Sequence, residues 1–271
     1  MENYLTCKIY KGCRLGNQLF MISHCIAQSL EYKRQYLLSK DQMTDLEKYK
    51  DNVFRNIEFK LDCLPKNGKI RGTPSFNFTK LKPYNNRITI YQGYFQSEKN
   101  FLSYSAFIKS LFSPTENFKK TVYINHPELL NENVTCINVR RGDYLLDPQS
   151  HPVITPEYIY EAANEIKHTD RYFIISDDLE WCKENIKLPK AKYVDVSLHE
   201  ALWTMSLCHN FIISNSSFSW WGAYLSNNEN KKVIAPKTWA GPTGPQNTQD
   251  VICDSWTALE TRYENGKIYP I

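Results

Sequence analysis

The chain has 271 residues, 42% of them hydrophobic and 14% aromatic, enough to bury a sizeable core and too many for a disordered chain. Its net charge of +4 is mild, and no Lys/Arg block marks a nucleic-acid binder. No apolar run approaches the ~20 residues of a membrane span, and residues 1–10 lack the apolar centre of a signal peptide. A cytosolic protein is expected, with a mildly basic surface that could rest on the inner face of a membrane. The eight cysteines form no C-x-x-C pair and the six histidines are scattered, so buried reduced thiols and no metal site are expected.

Residues 6–10 read as a first strand, and 11–18 as a glycine-containing loop. A helix then carries Leu19, Ile22, Ile26 and Leu30 on one face. Strand, glycine loop and helix start can build an anion site, or simply a tight turn. Residues 36–38 suggest a second strand, and 40–82 read as irregular with short helices. A strand at 88–92 leads into a helix capped by Ser97 and lined by Phe101, Tyr104, Ile108, Leu111 and Phe112, which Pro114 stops. The polar stretch 115–133 is the best candidate for a domain connection.

The second half alternates more regularly. Strands are expected at 134–139, 172–176, 192–196, 211–214 and 233–235. Helices are expected at 156–168 (Thr155 as N-cap, Pro156 first), 179–185, 198–208 and 220–225, with another around 256–263. Strands alternating with helices call for a parallel sheet.

Polar clusters fall where such strands run out. They are Gly16, Asn17 and Gln18; Arg140, Arg141, Gly142 and Asp143; Ser176, Asp177 and Asp178; and Asn215 to Ser219. The carboxyl edge of a parallel sheet is where ligands bind in open α/β folds. Arginine's planar fork suits phosphate oxygens, and a helix start such as Asn215 to Ser219 offers N–H groups and the positive end of a dipole. Each cluster can also be read as a turn, a cap or a solvated charge pair.

Together the clusters resemble the α-1,2-fucosyltransferase family, glycosyltransferase family 11. The similar motifs are G-x-L-G-N-Q (Gly12 to Gln18), G-Y-F-Q-S-E (Gly93 to Glu98) and V-R-R-G-D-Y (Val139 to Tyr144). The others are S-D-D with E-W-C-K-E-N (Ser176 to Asn185), N-S-S-F-S-W-W-G-A (Asn215 to Ala223) and V-I-A-P-K (Val233 to Lys237). They keep the family's order over nearly all of the chain.

The resemblance implies an α/β fold of GT-B type, with two Rossmann-like halves facing a cleft. Residues 1–125 would be the acceptor side and 126–271 the nucleotide-sugar side. It implies an inverting reaction without metal or cofactor, moving L-fucose from GDP-β-L-fucose to a sugar hydroxyl in α-1,2 linkage. The acceptor would be a glycan, such as a surface polysaccharide or lipid-linked repeat unit. Arg140 with Ser216 and Ser217 would meet the charge on the departing β-phosphate. Asp143, then Asp147, is the candidate base, and Arg141 is assigned to structure because neighbours on a strand face opposite ways. Asn17, Gln18, Asn138, Asp177, Glu200, Asn215 and Phe218 complete the expected donor contacts. Two positions depart from the family pattern. Asn138 stands where the family has a His associated with guanine, and Ala201 stands where it has an Asp, so Glu200 is expected to take over. The same scaffold could serve another nucleotide sugar, or a non-catalytic glycan- or nucleotide-binding protein.

Overall fold

Leu15, Leu19, Ile22 and Ile26 recur at helical spacing and are all buried, which starts the first helix one turn earlier than residue 19. The computed structural model describes residues 3–85 and 88–271. The chain divides into two units, Met1–Ser113 with Asn247–Cys253, and Pro114–Gln246 with Asp254–Ile271.

Unit 1 holds β1 (Tyr4–Lys8), α1 (Leu15–Glu31), β2 (Gln35–Tyr36), α2 (Leu46–Tyr49), β3 (Lys69–Gly72), β4 (Ile88–Gln92) and α3 (Ser105–Phe112). Its sheet is parallel throughout, in the order β2-β1-β4-β3. Residues 40–82 are largely irregular, as the sequence suggests, but β3 is not expected from it. Its lone large apolar residue, Ile70, is exposed, so backbone pairing to β4 rather than side-chain burial makes it a strand. Ser97 does cap, accepting the Lys99 N–H (3.3 Å), yet two 3₁₀ turns precede α3 in place of one continuous helix.

Unit 2 contains α4 (Glu116–Asn125), α5 (Glu128–Asn131), β5 (Val134–Val139), β6 (Val153–Ile154), α6 (Pro156–Asn164), β7 (Arg171–Ser176), α7 (Leu179–Asn185) and β8 (Ala191–Tyr193). It continues with α8 (Leu198–Ser206), β9 (Asn210–Ile213), α9 (Ser217–Tyr224), β10 (Val233–Pro236), β11 (Thr257–Leu259), β12 (Thr261–Glu264) and β13 (Lys267–Pro270). Six parallel strands run β11-β10-β9-β5-β7-β8, with β5 near the middle and buried on both faces. Ile137 and Val139 pack into an aliphatic layer with α6 and α7, so the other strand face, with Val134, Cys136 and Asn138, turns away from that layer.

Residues 115–133, the candidate domain connection, carry α4 and α5; the Thr115 hydroxyl accepts the Phe118 N–H (3.2 Å) and Glu116 sits in the first turn. One expectation is corrected here: the helix expected at 256–263 is instead strand. The turn Asn265-Gly266, with φ of +49° and +79°, folds β13 back on β12, and β13 then pairs with β6.

None of the eight cysteines is in a disulfide and seven are buried. Among the described residues no helix is long and apolar enough to cross a membrane.

Candidate functional site

The carboxyl edge of the unit 2 sheet is built by register. In the parallel β5–β7 pair Val139 lies opposite Ser176, so continuing past both strands sets Arg140 beside Asp177 and Arg141 beside Asp178. The side chains follow that pairing. Arg140 Nη1 meets Asp177 Oδ2 at 2.7 Å, and Arg141 Nε meets Asp178 Oδ2 at 3.0 Å. Arg140 also pairs through Nη2 with Asp143, one turn further on. On the other flank Asn138 lies opposite Ile213, so the same continuation brings Asn215 level with Arg140.

The two arginines then diverge, as strand alternation requires. The Arg141 guanidinium lies 3.7 Å from the Trp181 ring centroid on α7 and is held by Asp178, the residue that caps that helix. It ties α7 to the sheet edge. Arg140 stays at the edge with 13% of its side chain exposed. Asp177 serves both: Oδ1 accepts the Arg141 backbone N–H (2.9 Å) while Oδ2 meets Arg140. Gly142 leaves room for this closeness, because a Cβ there would meet Asp177 Oδ2 and push that carboxylate from its place. Two arginines thus face three aspartates, so an anion can reach Arg140 only by displacing one of its carboxylates.

Tyr144 links this cluster to α9. Its ring lies 5.5 Å from the Arg140 guanidinium, its hydroxyl donates to the Asn215 carbonyl (3.1 Å), and burial pushes its ionisation up to about 12 despite the pull of Arg140. Asn215 donates its amide to the Trp239 carbonyl (3.0 Å), while its Oδ1 is buried with no hydrogen-bond partner among the described residues. Ser216 caps α9 through Phe218 N–H (3.3 Å), leaving Ser217 and Phe218 half-buried in the first turn. The predicted Asn215 to Phe218 cluster is therefore brought to Arg140, Asp143 and Asp177. The sequence motif contains Tyr144 without pointing to a role for it; its place between Arg140 and Asn215 supplies one.

Other predicted contacts serve the fold. Asn138 is buried, its amide donating to the Ile175 carbonyl (3.0 Å) and its Oδ1 accepting from Ser219, so it ties β7 to α9 and presents nothing outward. Glu200 accepts the Ser197 N–H (3.0 Å) in a capping box at the start of α8, and the Ser197 side chain, helped by that backbone bond, holds its carboxyl below the usual range. Ala201 is buried beside it. Asp147 is exposed and closes a turn by accepting the Ser150 N–H (3.3 Å). In unit 1, Gln18 is buried and bridges the carbonyls of Cys13 (2.8 Å) and Thr44 (3.0 Å). Asn17, in the first turn of α1, is half-buried and accepts from Gln96 (2.7 Å). Sequence alone cannot tell an outward amide from one consumed by a neighbouring carbonyl, which is why these polar residues look alike in it.

Comparison with known proteins gives this geometry its setting. The sequence signature of glycosyl transferase family 11 matches residues 6–260. An Escherichia coli α-1,2-colitosyltransferase is 26% identical, covering 91% of this chain and 96% of its own length. The Escherichia coli O-antigen biosynthesis glycosyltransferase WbnK is 35% identical over 48% of this chain and 45% of its own. Among solved structures, the fucosyltransferase NodZ from Bradyrhizobium superposes with a TM-score of 0.52 at 11% identity, over 91% of this chain and 97% of that one. That likeness is one of fold, and with two Rossmann-like parallel-sheet units it makes the architecture GT-B in type. The chain belongs to glycosyl transferase family 11 and is a glycosyltransferase.

Proposed function

We propose that the protein moves L-fucose from GDP-β-L-fucose to a sugar hydroxyl in α-1,2 linkage, with inversion and without a metal ion. Unit 2 holds the donor and unit 1 the acceptor, a glycan such as a surface polysaccharide or lipid-linked repeat unit reached from the cytosolic side. The row Asp177, Arg140 and Asn215 beside the Ser216 cap of α9 carries this reading. When GDP leaves, negative charge builds on its β-phosphate. A guanidinium fixed at a sheet edge, with the N–H groups of a helix start, meets that charge with little reorganisation.

Arg140 has two carboxylates on it, and they differ in exposure. Asp177 is 26% exposed and Asp143 is 37% exposed. An arriving diphosphate therefore displaces Asp143 from Arg140. The released carboxylate is then available to take the proton of the acceptor hydroxyl as its oxygen attacks the anomeric carbon. The bond from that carbon to the diphosphate breaks, its electron pair leaves on GDP, and the new bond forms on the opposite face. Donor binding and release of the base become one exchange on Arg140.

A second donor is favoured by a specific observation. The relative matched over 91% of this chain is a colitosyltransferase, and colitose is the 3-deoxy counterpart of L-fucose. Thermal denaturation with a nucleotide panel decides: GDP and GDP-fucose should raise the melting temperature while UDP and dTDP sugars do not. Stabilisation by another nucleotide with none from GDP removes the reading. A larger rise and faster transfer with GDP-colitose than with GDP-fucose moves the assignment to the 3-deoxy sugar. Turnover should be unchanged by EDTA.

A further inference from the structure

The carboxyl edge of the unit 1 sheet carries a different chemistry. Three adjacent parallel strands, β1, β4 and β3, each end in an aromatic residue just beyond the strand: Tyr10, Tyr94 and Phe76. The β1–β4 register pairs Lys8 with Gln92, so its continuation sets Tyr10 beside Tyr94, and their ring centroids are 5.0 Å apart. Phe76 closes on the other side of Tyr94 at 5.3 Å. All three rings are half-buried, so each keeps part of its surface open.

This trio is held in place. Asn17 accepts from Gln96 (2.7 Å), two residues beyond Tyr94, which links the ring loop to the start of α1. The Phe76 loop is pinned from the far end of the chain. Asp250 accepts the Phe78 N–H (2.9 Å) and pairs with Lys99 (2.6 Å), its own N–H donates to Asn77 (3.2 Å), and Asn77 donates to Gln249 (2.6 Å). Aromatic faces flanked by neutral amides and phenolic hydroxyls suit a pyranose, whose axial C–H groups lie on a ring while its hydroxyls meet the polar rim. A diphosphate would demand the cations that unit 2 gathers.

We propose that Tyr10, Tyr94 and Phe76 form the platform on which the acceptor hexopyranose lies, with Asp250 as the positioning residue of the Phe76 loop. The proposal rests on the glycosyltransferase reading above and names its acceptor subsite.

The probe is methyl β-D-galactopyranoside, with binding read by saturation-transfer NMR and kinetics read with GDP-fucose as donor. Saturation should be strongest on H3, H4 and H5, the apolar face of galactose. Tyr94→Ala and Phe76→Ala should each raise the galactoside KM about tenfold, leaving the GDP-induced rise in melting temperature intact. Tyr94→Phe, which keeps the ring, should recover most of that loss. Asp250→Asn should raise the galactoside KM several-fold with little change in kcat, as a loosened loop would. An unmoved galactoside KM in both alanine variants, no saturation transfer to the wild-type protein, or loss of the GDP response along with the galactoside overturns the platform. Failure of the wild-type protein to respond to any sugar nucleotide, with saturation transfer still present, instead overturns the donor assignment and leaves the platform standing.

Discussion

The two sheet edges are built alike and filled differently. In each unit parallel strands run out at one edge, register sets the next residues side by side, and a helix begins there. Unit 2 places arginines against aspartates, and unit 1 places rings against rings. The fold fixes where a site can be, while the first few residues past each strand decide its chemistry. A charged edge has to be balanced by partners until its anion arrives, whereas an aromatic edge can wait half-exposed at little expense.

The sharpest way to break this comparison is Asp143→Asn. Asparagine holds Arg140 less tightly and cannot accept the acceptor proton, so kcat should fall on the order of 10²–10⁴-fold while the donor binds more tightly, having no carboxylate to displace. A variant within twofold of wild type would take the base role away from Asp143. Arg140→Ala should lower turnover by about ten-fold to a thousand-fold and weaken the GDP response, with the galactoside KM unmoved. Equal damage to donor and acceptor parameters would mean that the two edges do not divide the work.

A third test concerns unit 1 beneath its edge. His24 on α1 is fully buried, stacked 3.8 Å from the Phe95 ring and edge-on to Tyr91, and burial lowers its ionisation from 6.5 to about 3, with Asn100 opposing. The unfolded chain therefore binds a proton that the folded one refuses. The stability this residue contributes is fully present above pH 6.5 and drains away as the pH falls towards 3, a loss of roughly 3 to 5 kcal/mol. His24→Gln should flatten that part of the pH–stability curve, as measured by urea denaturation; an unchanged slope would exclude His24 as its source. The smallest effect is expected from Ser216→Ala, which removes the α9 cap at about 1 kcal/mol of stability. A measured melting point equal to wild type would show that the cap is replaceable.

Much of unit 2 is legible in the sequence because its signals are local. An unbroken apolar run gives β5, Thr155 with Pro156 gives the start of α6, and Asp178 gives the start of α7. The C-terminal hairpin escapes although Asn265-Gly266 is a strong turn signal, because the flanking residues 257–264 mix charge with aromatics and fit a helix about as well. At the site, motifs locate Arg140, Asp143 and Ser216, but only the fold's hydrogen bonds show how Asn138, Gln18 and Glu200 are used. Asn138 spends its amide on β7 and α9, Gln18 spends its N–H groups on the Cys13 and Thr44 carbonyls, and Glu200 caps α8. The unit 1 rings stay hidden because Tyr10, Phe76 and Tyr94 lie far apart in the chain, and only the strand order β1-β4-β3 makes them neighbours.

The segment Asn247–Cys253 returns to unit 1 after unit 2 has been largely completed, so the polypeptide passes between the units at 113/114, 246/247 and 253/254. Neither half of the gene is therefore a self-sufficient folding cassette. A fragment stopping at Ser113 would encode the first sheet without Asp250, the lash on its Phe76 loop, and a synthetic peptide spanning 247–253 is the natural complement to supply it in trans.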